Sequence, residues 1–321
     1  MPGDDPAAAR QAPPAERIAA EFGLGAVREP PRFAARGEMG QVWRMDTTGG
    51  VWAVKALVHP VEETTGEDAE FQLGLHAAGI PLPRPRLTPV GSAVVVAPDG
   101  AGYRVYEWVD LDPRGRVDVA TAGGLLARIH ARAWPADGVH PWFCRAVPDD
   151  TWPALVARAR DAGAPWAGLL AREVDAIVAT TATVSGEPPD GIVRCHLDFN
   201  ADNLVVGRDG RPWVIDWENS GGGAPQQELM QSLHELGGDD PGAVRALLAA
   251  YRAAGGTVDR PGLGAFSMAF AVQANLVALY AGRALDATPE DRERAEGRLA
   301  TLLPRLLTVP RARRLLDVCR E

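Results

Sequence analysis

Lysine is all but missing from this chain of 321 residues: Lys55 is the only one among 33 basic side chains, and every other is arginine. Arginine is a broad planar fork, whereas lysine is a compact point charge on a flexible stem. A site that admits only the compact charge is where a last lysine persists. Cysteine is scarce as well. Cys144, Cys195 and Cys319 show no paired spacing, so neither a disulfide framework nor a zinc site is indicated, and a reducing cytoplasm is the expected compartment. Base is in deficit: 33 basic residues face 42 acids, for a net charge of −9. A nucleic-acid partner wants a basic face, so none is expected; a neutral or cationic small molecule suits the balance better. Long apolar runs are lacking except at 261–282, which is uncharged but diluted by Ser267, Gln273, Asn275 and glycines. A buried helix is expected there, with no membrane contact. The opening MPGDDPAAARQAPPAER has no apolar core and does not read as a secretory signal.

What is present falls into two textures. RFAAR (32–36), GQVWRMD (40–46) and VWAVKAL (51–57) are short, alternating and separated by glycine, the pattern of strands. A helix is predicted over about 62–78, and strands again at 93–98 and 103–109. Beyond DLDPRGR (110–116) helical periodicity takes over, interrupted by a β insert at 192–218. The chain therefore reads as an α+β protein. Residues 1–17 are expected to form a disordered tail, 18–108 a small β-rich lobe with one main helix, and 109–321 a larger, mostly helical lobe. No obligate protein partner is indicated.

The β insert carries oxygen ligands. LVVGR and RPWVID flank Asp209-Gly210, a signal for a two-residue hairpin turn, and that turn sets Asn203 opposite Asp216. Directly opposed residues sit roughly 4.5–5.5 Å apart, so an amide oxygen and a carboxylate are expected to meet there. Asp198 precedes Asn203 on a tight loop. Two carboxylates and an amide suit Mg²⁺, a hard cation that usually shares its sphere with phosphates.

The lysine strand is read in the same way. GQVWRMD and VWAVKAL pair across TTGG, with Val42 facing Lys55 and Ala53 on the lysine's face. Gly37 and Gly40 lie just upstream, where backbone N–H groups approach phosphate oxygens in such loops. A half-buried lysine needs an anion, and the helix at 62–78 offers Glu63, Glu67 and Glu70 along one stripe. Glu70, which borders the apolar face, is the expected partner.

Taken together, AVK in the third strand, YEWV, LLARIHA, HLDFNADN and VIDWE resemble the aminoglycoside phosphotransferase and choline kinase family, small-molecule relatives of the protein kinases. The resemblance covers roughly residues 18 to 254 and implies a protein-kinase-like, two-lobed fold. It implies that Lys55, held by Glu70, contacts the phosphates of ATP, or of GTP in its place. Val42 and Ala53 would lie against the ring, and the backbone of Glu107, Trp108 and Val109 would take the adenine edge. Asp198 would orient and deprotonate the attacking hydroxyl, His196 would brace its loop, and Asn203 and Asp216 would hold Mg²⁺.

A protein kinase fits less well. Leu197 follows His196 where many protein kinases carry arginine, and only ten residues separate Asp216 from the helix beginning near Gln226. The expected acceptor is thus a small hydroxylated molecule. Candidate contacts to it are Glu218, which suits a cationic amine, and Asp202, with Asp149, Asp150 and Asn275 behind them. The alternative is a nucleotide-binding regulator without turnover, against which the complete set Lys55, Asp198, Asn203 and Asp216 speaks. His130 and the tryptophans at 134, 142, 152 and 166 are expected to pack.

Overall fold

The alternating stretches of the first third pair into an antiparallel sheet. The computed structural model describes residues 12–37, 40–57, 65–259 and 261–320. Helix α1 (Ala15–Phe22) leads into strands β1 (Arg32–Arg36), β2 (Gly40–Thr47) and β3 (Gly50–Leu57), then helix α2 (Thr65–Ala77) and strands β4 (Pro85–Arg86), β5 (Val95–Val96) and β6 (Gly102–Glu107). Helices α3 (Val119–His130), α4 (Pro141–Cys144), α5 (Thr151–Asp161) and α6 (Ala167–Thr181) follow. Next come the short strands β7 (Val193–Cys195), β8 (Leu204–Val206), β9 (Pro212–Val214) and β10 (Gly221–Gly223). Helices α7 (Pro225–Ser232), α8 (Pro241–Ala253), α9 (Ser267–Asp286), α10 (Pro289–Leu302) and α11 (Val309–Arg320) complete the chain. Of the expected tail, residues 1–11 lie outside the described residues, and α1 opens at Ala15. Two units separate by contact: Met1–Arg116 with Asn203–Glu218, and Val117–Asp202 with Asn219–Glu321.

In the first unit the sheet order is β1-β2-β3-β6-β4, with β5 also on β6. Val42 lies opposite Lys55 and Asp46 opposite Val51, the register that the alternation predicts. On the other side of β3, Arg104 lies opposite Lys55 and Tyr106 opposite Ala53. Successive side chains point to opposite faces. Val42, Ala53, Lys55, Arg104 and Tyr106 therefore share one face, and Trp43, Met45, Val54 and Val105 the other. The apolar face is covered by Ile18, Ala19 and Phe22 of α1, together with Leu24. Helical spacing of those three residues makes α1 amphipathic, a signal hidden by the proline-rich stretch before it.

The hairpin at 204–214 departs from its expected register. Leu204 pairs with Val214, Val205 with Trp213 and Val206 with Pro212. Asn203 consequently faces Ile215, whose amide donates to its carbonyl at 3.0 Å, and not Asp216. The cause is the loop. Gly207 N–H reaches Arg211 O at 2.9 Å across three residues, and Gly210 adopts φ +79°. That is a turn closed by a left-handed glycine, the next commonest hairpin loop after the two-residue form. The hairpin is stitched into the first unit by Val214 N–H to Pro81 O and Asp112 N–H to Val206 O, each 2.8 Å.

The second unit is built around α9, which contacts α4, α5, α6, α7 and α10. Its core gathers Trp152, Trp166, Leu170 and Ile177 with Ala274, Val277 and Ala281, so two of the expected packing tryptophans are interior. Among the described residues Leu263–Asp286 is long and apolar enough to cross a membrane, but 67% of its apolar window is buried inside the protein. The polar residues that dilute it are pins. Gln273 accepts from Leu307 N–H at 2.9 Å; Asn275 accepts from Val147 N–H at 3.0 Å and donates to Trp142 O and Arg145 O at 2.9 and 2.8 Å. Asn275 is thus committed to holding a loop and is unavailable as an acceptor contact.

Candidate active site

Lys55 sits on the polar face of the first unit's sheet and is 8% exposed. Its Nζ donates to Asp216 Oδ1 at 2.7 Å and lies 2.6 Å from Glu218 Oε2. The contact to Glu218 is a close, buried ion pair. Local backbone geometry aims both acids at one ammonium. Asp216 takes φ +62°, and Trp217–Asn219 then makes a single 3₁₀ turn. A non-glycine residue held in the left-handed region is strained and is characteristic of functional positions. Trp217 locks the turn by donating Nε1–H to Val214 O at 2.9 Å and by meeting Phe71 edge-on with ring centroids 5.9 Å apart.

These charges alter one another. Burial pulls the Lys55 ammonium down, but Glu218 and then Asp216 more than offset that, so it stays protonated well above the ordinary lysine value. Burial raises the Glu218 carboxyl above the usual glutamate value; Lys55 opposes the rise and Asp216 adds to it. Tyr106 Oη donates to Glu218 Oε1 at 3.5 Å.

In the second unit, Asp198 is half-buried on the loop after β7. Its Oδ1 accepts from Asn200 Nδ2 at 2.7 Å and its Oδ2 from Asn219 Nδ2 at 3.4 Å, so both oxygens are aimed. His196 is 0% exposed, and its Nδ1 accepts the Asp198 amide at 3.2 Å. It therefore braces the loop and touches no solvent. Between them Leu197 is held at φ +63°, its amide donated to the buried Glu228 carboxylate. Glu228 Oε2 also takes His130 Nε2 at 2.7 Å, and His130 Nδ1 meets Tyr251 Oη at 2.8 Å. Burial raises the Glu228 carboxyl, but hydrogen bonding and charge from His130, then His196 and the Leu197 amide, bring it below the ordinary value. The three glycines of β10 pair with β7, and a Cβ on Gly222 would stand 1.7 Å from Gly138 O.

The APH phosphotransferase enzyme family matches residues 32–266. The chain belongs to that family. Its fold is similar to that of spectinomycin phosphotransferase in complex with ADP and spectinomycin, 15% identical over 94% of this chain and 96% of that one, TM-score 0.67. It is also similar to a microcompartment-associated aminopropanol kinase, 18% identical over 90% of this chain and 94% of that one, TM-score 0.63. A third is an aminoglycoside phosphotransferase from Alicyclobacillus acidocaldarius, 18% identical over 99% and 98%, TM-score 0.55. At these identities the likeness is one of fold. No curated protein matches the sequence.

Within this phosphotransferase, the expected contact between Glu70 and Lys55 is not made. Glu70 is exposed, and Lys55 pairs with Asp216 and Glu218 instead. Helix α2 turns Asp68, Phe71, Gln72 and Leu75 inward, which rotates Glu67 and Glu70 outward; Glu63 lies outside the described residues. Glu218, expected to meet a cationic acceptor, has a side chain 8% exposed and is occupied by Lys55. Asp202 is exposed, its amide donated to Asn200 Oδ1 at 2.9 Å. Asn203 is buried, while Val42 and Ala53 stay half-buried on the lysine's face. Gly37 donates its amide to Gly40 O at 2.8 Å, and a Cβ on Gly40 would stand 2.2 Å from Ala56 O. The amides of Glu107 and Trp108 are spent on Arg84 O and Val51 O at 3.0 and 3.3 Å. Sequence reasoning missed Asn200 and Asn219, which sit inside or beside the quoted motifs, and read His130 as mere packing.

Proposed function

We propose that this chain is an ATP- and Mg²⁺-dependent O-phosphotransferase acting on a small molecule that carries both a hydroxyl and an amine, such as an aminoglycoside-like antibiotic, an amino alcohol or an amino sugar. The observation that carries the reading is the single lysine of the chain, buried and set against Asp216 by a strained backbone. In such a reaction the acceptor oxygen bonds to the γ-phosphorus, the bond to the β–γ bridging oxygen breaks, and ADP leaves. Asp198 takes the hydroxyl proton, with its oxygens aimed by Asn200 and Asn219. Lys55 supplies a fixed positive charge to phosphate oxygens, and Val109 offers the hinge amide left after Glu107 and Trp108 are used.

A divalent cation fits the residues present. Asp216 and Asn203 are hard oxygen donors, and an ammonium already stands against the Asp216 carboxylate. Asn203 and Asp216 would hold Mg²⁺, which supplies charge neutralisation on the phosphates. For the acceptor, the amine is supported by the net charge of −9 and by the acceptors named for two related structures, spectinomycin and aminopropanol.

The test is transfer from γ-labelled ATP with Mg²⁺ to aminoglycosides, macrolides, choline, amino alcohols and simple sugars, with Asp198→Asn alongside. Labelled product that vanishes in the variant supports the reading and names the acceptor class. Tight Mg·ATP binding with no labelled acceptor favours a regulator, and absence of nucleotide binding overturns the kinase reading.

A further inference from the structure

An ammonium withdrawn from water needs an anion that stays with it, because an uncompensated buried charge is strongly destabilising. Helix α2 does not supply that anion to Lys55 from its described residues. Its one inward-facing acid, Asp68, lies 3.5 Å from Arg104, the residue directly opposite Lys55 on β6. Glu67 and Glu70 face outward. Among the described residues two carboxylates pair with it, Asp216 and Glu218, and they are not equivalent. The Asp216 side chain is 33% exposed, whereas that of Glu218 is 8% exposed with Tyr106 Oη on its other oxygen. Asp216 is also the acid that a metal would draw away from the lysine.

We propose that Glu218 is the standing anchor of Lys55, a positioning residue that sets where the lysine's charge meets phosphate. This rests on the phosphotransfer reading above. The anchor thus comes from the exit of the β8–β9 hairpin, two residues beyond the candidate metal ligand, and not from the helix. Three constraints hold it there: the left-handed turn at Asp216, the Trp217 hydrogen bond to Val214 O, and the edge-on packing of Trp217 against Phe71. Lysine and candidate metal ligand are fixed by one short stretch of chain, which helix α2 supports through the Phe71–Trp217 contact and not through an acid on the lysine.

The lone lysine makes the test direct. Protein grown with lysine labelled by ¹⁵N at the side-chain nitrogen carries one such ammonium, that of Lys55. Spectra are recorded without nucleotide and with EDTA, so that no metal contributes. The native protein is expected to show a single, slowly exchanging signal. In Glu218→Gln the signal shifts and its protons exchange at least about tenfold faster, the change expected when a charged partner is lost. In Glu70→Gln it stays where it was. Should Glu218→Gln fail to fold, Glu218→Asp gives the same readout through its shortened reach. An unchanged signal in a folded Glu218 variant, or a shift in Glu70→Gln equal to that of Glu218→Gln, overturns the proposal. Calorimetry of Mg·ATP on the native protein separates the two readings. Absent binding there defeats the phosphotransfer reading itself, whereas binding with an unmoved lysine signal in the Glu218 variant defeats only the anchor.

Discussion

Glu228→Gln is the most informative single change in the second unit. The native carboxylate is 1% exposed and accepts from two donors at once, the Leu197 amide on Oε1 and His130 Nε2 on Oε2. The Glu228 carboxylate at His130 Nε2 can only accept, which makes Nε2 the protonated nitrogen, so both partners of Glu228 are donors. Glutamine keeps the shape but has one oxygen. Whichever donor it satisfies, the other faces an NH₂ group in a buried site. A buried donor left without an acceptor costs about 1–3 kcal/mol, and a fall of about 2 kcal/mol is expected. Urea unfolding at pH 7, followed by tryptophan fluorescence, measures it. Tyr251→Phe, which removes a neutral hydrogen bond, is expected to cost about 1 kcal/mol. His130→Gln combined with Glu228→Gln should be non-additive by at least about 0.5 kcal/mol, since the two residues touch. Stability of Glu228→Gln within about 0.5 kcal/mol of native, the scatter of ordinary surface changes, refutes this account of the cluster.

Lys55→Arg should lower phosphate transfer on the order of 10²-fold, comparable to other losses of preorganised charge. Arginine's broad planar fork does not reproduce the single point charge that Lys55 Nζ places between Asp216 and Glu218, and near-native turnover sinks the claim. Gly222→Ala should cost about 3 kcal/mol, since backbone must yield to backbone at Gly138; an unchanged melting curve says that β10 is not packed as described. Burial first, and then Arg311 and Arg305, push His234 down to about 4. Between that value and the ordinary histidine value near 6.5 the unfolded chain binds a proton that the native chain refuses, so stability should fall as pH drops through this window. The contribution is about 3 kcal/mol at most, and His234→Gln should flatten the slope.

Much of this was legible where two local signals agreed. The β2–β3 register followed from alternation plus a glycine turn, and those two signals were enough to place Lys55 on its face of the sheet. The 204–214 hairpin slipped by one because Asp-Gly serves two loop types, and only the backbone angles of Gly210 separate them. The partner of Lys55 was misread for a different reason. A charged stripe on a helix ordinarily marks either the solvated face or a buried pair, and Asp68 became the inward acid through Arg104, a partner distant in sequence. Nothing in a sequence string marks Asp216 as left-handed, yet that one angle brings Glu218 onto the lysine. His130 looked ordinary because a histidine on an apolar helix face usually packs; its bond to Glu228 depends on tertiary contact alone.

The first unit is interrupted in sequence: it runs to Arg116 and is completed only by Asn203–Glu218. A ribosome adds about 5–20 residues each second, so the stretch from Arg116 to Glu218 takes roughly 5–20 s to appear. Throughout that interval the nascent sheet carries Lys55 without the two carboxylates that neutralise it, and Pro81 lacks the hairpin strand that is later tied to it. Synthesis of the second unit is well under way before the first can close. Neither unit can be released from the other by cutting one peptide bond, and a chain stalled before Glu218 would leave the ribosome with its charged interior open to water, a natural client for chaperones and proteases.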